Sequence, residues 1–437
     1  MDNLLAARSQ MALSLIFHIV FSCIGMVMPF FMAVAHFIYL RRGNPVYKNI
    51  TVAWSKGVAI FFATGAVSGT VLSFELGLLW PSFMKEAGPI IGMPFSLEGT
   101  AFFIEAIALG FFLYGWDRFS PWFHWFTGMV VGITGLLSGI LVVAANSWMN
   151  CPSGFSFKDG KFYNIDPVKA MFNHAWFPEA LHMIIAAFAA TGFAVAGIHA
   201  LMAVRGRNIA FHGTAFKIAI TFAGFAAIIQ PFSGDICARF VSQNQPVKLA
   251  AMEAHFKTEA RSPLIIGGIP DILHKRVNDD IEIPGLLSFM VSGKLNTVVK
   301  GLDAFPSADE PPVPVIHYAF QLMVALGMAM LGLSLLFFFA SKWHKSWLVA
   351  RWFLIIFAMA TPFGFIAVEA GWTVTEVGRQ PWIIQGFMRT ADAVTPMPAM
   401  IYSFYLFTAV YISLAIAVGL LLNRQIKMVP VNYDHNI

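Results

Sequence analysis

The chain has 437 residues, of which 58% are hydrophobic and only 12% charged, with a formal net charge of +5. A soluble domain carries about 25% charge, so this composition leaves too little polar surface to hold the particle in water. Disorder, a collagen-like fibre, a disulfide-stapled secreted domain and a nucleic-acid reader are excluded. A mean hydropathy of +0.70 points instead to an all-α integral membrane protein. Only three cysteines occur, Cys23, Cys151 and Cys237, with no CxxC, which argues against zinc ribbons and thiolate iron–sulfur clusters.

A bilayer core about 30 Å thick needs about 20 apolar residues per helix. Nine stretches qualify, at roughly 11–40, 54–80, 96–116, 122–146, 178–204, 214–233, 314–340, 347–368 and 399–423. The first lacks a small-residue cleavage site and reads as a span, not a signal peptide. Basic residues set the orientation. Arg41, Arg42 and Lys48 follow the first span, and Arg118 the third. Arg205, Arg207 and Lys217 surround the turn after the fifth; Lys342, Lys345 and Arg351 the turn after the seventh; Arg424 and Lys427 follow the ninth. These clusters share one side if the N-terminus lies outside and the C-terminus inside. The twelve Trp, among them Trp54, Trp80, Trp148 and Trp372, read as interfacial belts. The chain then divides into six spans over 1–233, an outer polar loop over 234–313, and three spans over 314–437. The loop holds KLAAMEAHFKTEA from Lys248, in which Leu249, Met252 and Phe256 would share a helical face. It reads as a helix lying on the headgroups, or as a lid over a lipophilic substrate arriving from the bilayer.

Ionisable groups within spans are expensive, about 2.5–3.5 kcal/mol each on insertion scales, so each asks for an explanation. The first span carries Ser14, His18 and Ser22 on one stripe. The third carries Glu98 and Glu105, nearly two turns apart, so both face the same way about 10 Å apart. The fifth opens at Pro178 and shows His182, followed by Ala186, Ala189 and Ala190. The seventh carries His317, Gln321 and Met323, then Gly327. Odd-numbered spans enter from outside, which puts His18, Glu98, His182 and Met323 together in the outer half of the membrane. Small residues beside His182 and Met323 would let a flat ring approach, and His with Met is a standard axial pair for low-spin haem iron. A lone intramembrane His or Met is more often a packing residue, so residue type alone leaves these two open. Glu98 and Glu105 suggest a proton or cation path. His36, His124, His199, His212 and His344 read as structural, and a Cys151–Cys237 disulfide in the outer loops is left open. After the eighth span comes AVEAGWTVTEVGRQPW, Ala367 to Trp382, with Glu369, Glu376 and Arg379. Glu376 and Arg379 pair if the segment is helical. A carboxylate can ligate high-spin iron, and an Arg can hold a haem propionate bidentately.

The E-x-x-R before QPW at Glu376 to Trp382, the EG…FFIE pair at Glu98 and Glu105, GWDR at Gly115 to Arg118 and KLAAME at Lys248 to Glu253 are specific motifs. Over essentially its whole length the chain resembles subunit I of the cytochrome bd-type quinol oxidases. The resemblance implies that His182 and Met323 are the axial ligands of a low-spin haem b (b558-type). It implies that His18, Glu98 and Glu376 serve two high-spin haems, a haem b (b595-type) and a haem d or a further haem b in its place, without assigning the three individually. Arg379 matches a residue beside the haems. Glu105 and Ser138 match a proton route from the inner side, and Lys248 and Glu253 match quinol-site residues of the Q-loop. Two departures stand out. The chain lacks the long insertion late in the Q-loop, which places it with the short-loop, often cyanide-insensitive group. It also has Gln321 where better-studied members have Arg two residues before the ligand Met, and a missing cation there should lower the potential of the low-spin haem.

The leading reading is therefore a haem-bearing oxidase subunit in a bacterial cytoplasmic (inner) membrane. Ubiquinol or menaquinol is oxidised at the outer face and O2 is reduced to water with protons from inside, so a potential builds without a pump. The cofactors do the redox chemistry while the protein supplies ligation, spacing and proton access. The resemblance implies a homologous second membrane subunit without haem ligands and leaves room for a small single-span subunit. The competing readings are a haem-free proton or cation transporter using Glu98 and Glu105, and a haem anchor that relays electrons without reducing oxygen. Transporters often show inverted repeats, and none is visible here.

Overall fold

The computed structural model describes residues 2–428. Helix α1 (Asn3–Arg42) starts at Asp2, whose side chain accepts from the Leu5 amide, and stops at Gly43, whose φ of +66° turns the chain and lets its N–H reach Tyr39 O. Prolines open α2 (Pro45–Leu79), α3 (Pro81–Tyr114) and α4 (Pro121–Asn150), where a missing N–H is harmless and the ring presets φ. A small hairpin, β1 (Ser156–Lys158) with β2 (Lys161–Tyr163), and α5 (Pro167–Met171) lead to the long pair α6 (Trp176–Val204) and α7 (Ile209–Asn244). The polar loop contains α8 (Pro246–Met252), β3 (Glu259–Ala260), the hairpin β4 (Leu264–Asp271) with β5 (Arg276–Ile283), α9 (Leu286–Ser292) and β6 (Val298–Val299), which pairs with β3. Then come α10 (Val313–Trp343), α11 (Arg351–Met359), α12 (Phe363–Val377), the short hairpin β7 (Trp382–Ile384) with β8 (Met388–Arg389), α13 (Thr390–Ala393) and α14 (Met400–Met428).

Among the described residues nine helical stretches are long and apolar enough to cross a bilayer, with α11 and α12 together forming the eighth. The all-α membrane architecture expected from hydropathy is what folds. Several helices outrun their expected edges. α3 begins at Pro81, and α7 continues to Asn244, so the loop proper begins at Gln245 and not at 234. A helix satisfies its own backbone and keeps going where side chains turn polar, which a hydropathy window does not register.

α1 is the central helix, packed against α2, α4, α6 and α14. Elsewhere close approach relies on small residues. Gly364 of α12 lies directly on Ala190 of α6, and a Cβ on Gly192 would meet Ala223 of α7 at 2.6 Å. This corrects the reading of the alanine face after His182. Ala189 and Ala190 are buried under neighbouring helices, so that face seats a helix and not a ring. Two tryptophans are likewise not belt residues. Trp54 is buried and donates to His199 Nε2 at 3.1 Å, and buried Trp148 donates to Ser153 O. All three cysteine thiols are free, which closes the disulfide option, and Cys237 donates to Pro178 O.

The Lys248 stretch is neither a surface helix nor a flat lid. α8 ends at Met252, because Ala254 takes a left-handed φ of +47° and the His255 amide folds back to Ala250 O at 2.8 Å. Lys248 through Met252 are all buried. Leu249 packs with Leu287 and Val299, while Met252 and Phe256 pack with Leu302 and Ile316, so the supposed single face serves two cores.

Candidate functional site

His18 and His182 are held in the same way. His18 Nδ1 lies 2.8 Å from Ser68 Oγ, and Ser68 has already given its hydroxyl proton to Thr64 O at 2.9 Å. His182 Nδ1 lies 3.0 Å from Ser233 Oγ, whose proton goes to Gln230 O at 2.8 Å. Each serine can then only accept, so each Nδ1 carries the hydrogen and each Nε2 keeps its lone pair for a metal. Glycines flank the rings. A Cβ on Gly69 would stand 3.1 Å from His18 Cε1, and one on Gly234 3.6 Å from His182 Cε1. Gln230 Nε2 rests 3.1 Å from His182 Nε2 and 3.2 Å from Nδ1, so it would have to move for Nε2 to hold a metal ion.

Met323 lies on α10 with its sulfur against Gly371 of α12, where a Cβ would stand only 3.0 Å away. α6 and α10 both pack against α7 and α12, which bridge the helices of His182 and Met323. Beside Met323 a cavity of about 450 Å³ opens between α10 and α12, lined by Tyr318, Leu322, Phe365, Ile366 and Glu369. Its walls are mostly apolar, and Glu369 is their one carboxylate, with both oxygens buried without partners. Gly327, the small residue expected to make room here, faces open space, and Gly371 on the opposing helix is the glycine in contact with the sulfur.

On α3, Glu98 accepts from Ser138 of α4 at 2.7 Å, while Glu105, buried and deeper, faces Gly135, where a Cβ would stand 3.3 Å from its carboxylate. Ser138 was expected on the Glu105 route. The structure gives its hydroxyl to Glu98, because α4 presents Gly135 and Ser138 to the two carboxylates at successive levels.

A continuous hydrogen-bonded chain joins the Q-loop to the GRQPW segment. Lys248 Nζ donates to Asn150 Oδ1 at 2.8 Å, and Asn150 Nδ2 donates to Asn146 Oδ1 at 3.2 Å. Asn146 Nδ2 donates to Glu376 Oε1, and Arg379 Nη2 donates to Glu376 Oε2 at 2.7 Å. Glu179, one turn before His182, lies within electrostatic reach of Lys248, Arg379 and Glu376. Burial pushes the Lys248 ammonium below its ordinary range, against the opposing pull of Glu179. Arg379 Nε and Nη1 are buried without partners, two donors set for an anionic group.

Glu253 stands apart from this chain. It is buried, its Oε2 has no partner, and burial pushes its carboxyl up to about 8. The turn that carries it is held from α10. His317 is fully buried, with Nδ1 2.9 Å from Met252 O and Nε2 3.0 Å from Gly267 O. Gln321 donates to Ile265 O at 2.9 Å and accepts from the Gly267 amide at 3.2 Å. The helix of Met323 therefore also pins the Q-loop, and the amide of Gln321 is spent on that loop.

The donor set fits haem: two Nε2 lone pairs, a thioether, glycine recesses, orphaned guanidinium donors and an apolar groove. Comparison with known proteins agrees. The sequence model of the cytochrome bd terminal oxidase subunit I family matches residues 6–430. The chain belongs to this family. It is 35% identical over 440 residues to the putative cytochrome bd menaquinol oxidase subunit I of Bacillus subtilis (strain 168), covering 100% of this chain and 99% of that one. It is 29% identical to the cytochrome bd ubiquinol oxidase subunit 1 of the same organism, covering 100% and 96%. It is 26% identical to the cytochrome bd-II ubiquinol oxidase subunit 1 of Escherichia coli (strain K12), covering 97% and 96%. The bd oxidase structure from Geobacillus thermodenitrificans superposes with a TM-score of 0.93 at 34% identity, covering 98% of this chain and 99% of that one.

As a cytochrome bd subunit I, the chain is a quinol:oxygen oxidoreductase of the respiratory chain, a multi-pass protein of the bacterial inner membrane. It uses haem and works with a second subunit, quinol and oxygen. Sequence reasoning missed Ser68, Ser233, Asn146, Asn150 and Glu179. Asn146 and Asn150 carried a readable signal, two amides at i and i+4 at the end of a span. The serines carried none, because their partners come from other helices.

Proposed function

We propose that this subunit takes electrons from quinol at the Q-loop and delivers them to an oxygen-reducing high-spin haem pair, with the Q-loop on the outer face. His182 and Met323 hold a low-spin haem b; His18, Glu98 and Glu376 serve the two high-spin haems, the third being haem d or a further haem b. When bound, the haems supply one-electron transfer and oxygen chemistry. The residues do the rest. Lys248 orients a quinol oxygen and Glu253 takes a proton from the other. Arg379 offers two free donors to a propionate, and Glu105 receives protons arriving from the opposite side and passes them toward Glu98. The proton motive force then follows from where protons are taken up and released, without a pump.

The observation that supports this reading is the unbroken chain Lys248–Asn150–Asn146–Glu376–Arg379, one hydrogen-bonded unit from the Q-loop to the segment after α12. A reduced-minus-oxidised spectrum of the purified oxidase with pyridine haemochrome typing, run beside quinol-dependent oxygen uptake, tests it. Low-spin and high-spin haem bands with uptake are expected. A haem-free preparation overturns it, and His182→Ala and Met323→Leu variants that both keep the low-spin band remove the ligand assignment.

A further inference from the structure

A second buried polar cluster lies where α1, α2 and α14 meet, on the α1–α2 seam that also carries His18. Gln10, Ser14 and Glu75 have no exposed surface and Tyr411 is only 2% exposed. Gln10 Nε2 donates to Glu75 Oε1 at 2.8 Å. The remaining polar atoms, Gln10 Oε1, Glu75 Oε2, Ser14 Oγ and the Tyr411 hydroxyl, have no hydrogen-bond partner. The Ser14 hydroxyl lies within reach of both the Glu75 carboxyl and the Tyr411 hydroxyl without closing a bond of full geometry to either, so the four side chains form one cluster. A set like this costs stability unless something bridges it. Two acceptors and two hydroxyls in one buried cluster match what a buried water needs, about three hydrogen bonds from polar neighbours.

The cluster shares its helix seam with His18. α1 and α2 are antiparallel, with Gln10 opposite Glu75 and His18 opposite Ser68. Ser14 lies halfway on the same face of α1. The two levels are about 10–12 Å apart by helical rise. Gln10 and Glu75 lie toward the helix ends on the Q-loop side, since the spans alternate and the Q-loop follows the sixth. Protons enter from the opposite side in the proposed function, so this seam is not needed for their uptake. Oxygen reduction makes two waters per O2, and they must leave.

We propose that Gln10, Ser14, Glu75 and Tyr411 form a water-binding site at the mouth of a hydrated seam that runs between α1 and α2 to Ser68 and His18, and that product water leaves by it toward the Q-loop face. This rests on His18 being a haem ligand. X-ray radiolytic footprinting of the intact oxidase in detergent, read by mass spectrometry, tests the site, because a buried tyrosine is modified only when a bound water lies beside it. Tyr411 should be labelled despite its burial. Glu75→Leu should bring that labelling to background, while Glu75→Gln keeps it and exposed Tyr402 is unchanged in both. An unlabelled Tyr411, labelling indifferent to Glu75→Leu, or labelling that depends on added sodium overturns the water site. The link to the haem is read by reduced-minus-oxidised infrared spectra in H2O and H2-18O. Isotope-sensitive water bands should vanish in Glu75→Leu and persist in Glu75→Gln; bands unaffected by Glu75→Leu overturn the seam. Haem content of His18→Ala is measured separately. Retained high-spin haem there defeats the ligand reading, whatever Tyr411 shows.

Discussion

Ser68 accepts from His18 Nδ1 at 2.8 Å with its own proton already committed to Thr64 O. The serine therefore selects the tautomer of the imidazole and leaves the Nε2 lone pair free for the iron proposed there. Ser233 does the same for His182. Partners of this kind typically change metal affinity by about 10–100-fold when removed. Ser68→Ala should lower high-spin haem occupancy within that range and leave the low-spin band in place. Ser233→Ala should do the reverse. Haem stoichiometry against protein, with visible spectra, checks both.

Asn150 is the first link between the Q-loop lysine and the pair Glu376 and Arg379. A hydrogen bond to a charged group contributes about 1.5–3 kcal/mol, so Asn150→Leu should cost roughly one to two decades in quinol kcat/KM. Haem spectra should be unchanged, because Glu376 keeps its bond from Arg379. Stopped-flow haem reduction by quinol reads the effect directly; an unaltered rate would detach the asparagine from quinol chemistry.

Glu253 holds its proton up to about 8 because burial disfavours the carboxylate. As a proton acceptor it works only when ionised, so quinol oxidation should rise as pH climbs through about 8, and Glu253→Gln should abolish that limb. The stability sign is opposite. The unfolded chain ionises in the ordinary carboxylate range while the folded loop keeps its proton, so loop stability falls as pH rises from there to about 8. A pH series of haem reduction rate, paired with protease susceptibility of the Q-loop, separates the two effects.

Ser138 and Glu105 should part company. Ser138 donates to Glu98, so Ser138→Ala should perturb a high-spin haem band in the way Glu98→Gln does. Glu105→Gln should keep every haem and its reduction by quinol, yet turn over slowly with oxygen. Loss of a general proton-transfer group typically costs about 10²–10⁴-fold. Native turnover in Glu105→Gln would move the proton route elsewhere.

Lys257 and Lys294 are both exposed on the Q-loop. Cysteine substituted at either should react with an impermeant maleimide in intact cells. Reaction only after lysis would reverse the orientation and move the quinol site to the inner face.

Nine spans, the polar loop and the ionisable residues inside the spans were legible from the sequence, because hydropathy and the penalty for buried charge act residue by residue. So were the motifs around Glu98, Lys248 and Glu376, since short-range spacing on one helix is a property of one segment. Which groups face one another is a property of pairs of helices, and no single segment contains it. Only the tertiary structure gave Ser68 to His18 and Ser138 to Glu98, passed Lys248 through Asn150 and Asn146 to Glu376, and put Gly371 against Met323. It also decided that the Lys248 stretch is buried. A seven-residue helix ended by a left-handed alanine divides its apolar residues between two cores, and a periodicity read at 3.6 residues per turn cannot register where the helix stops.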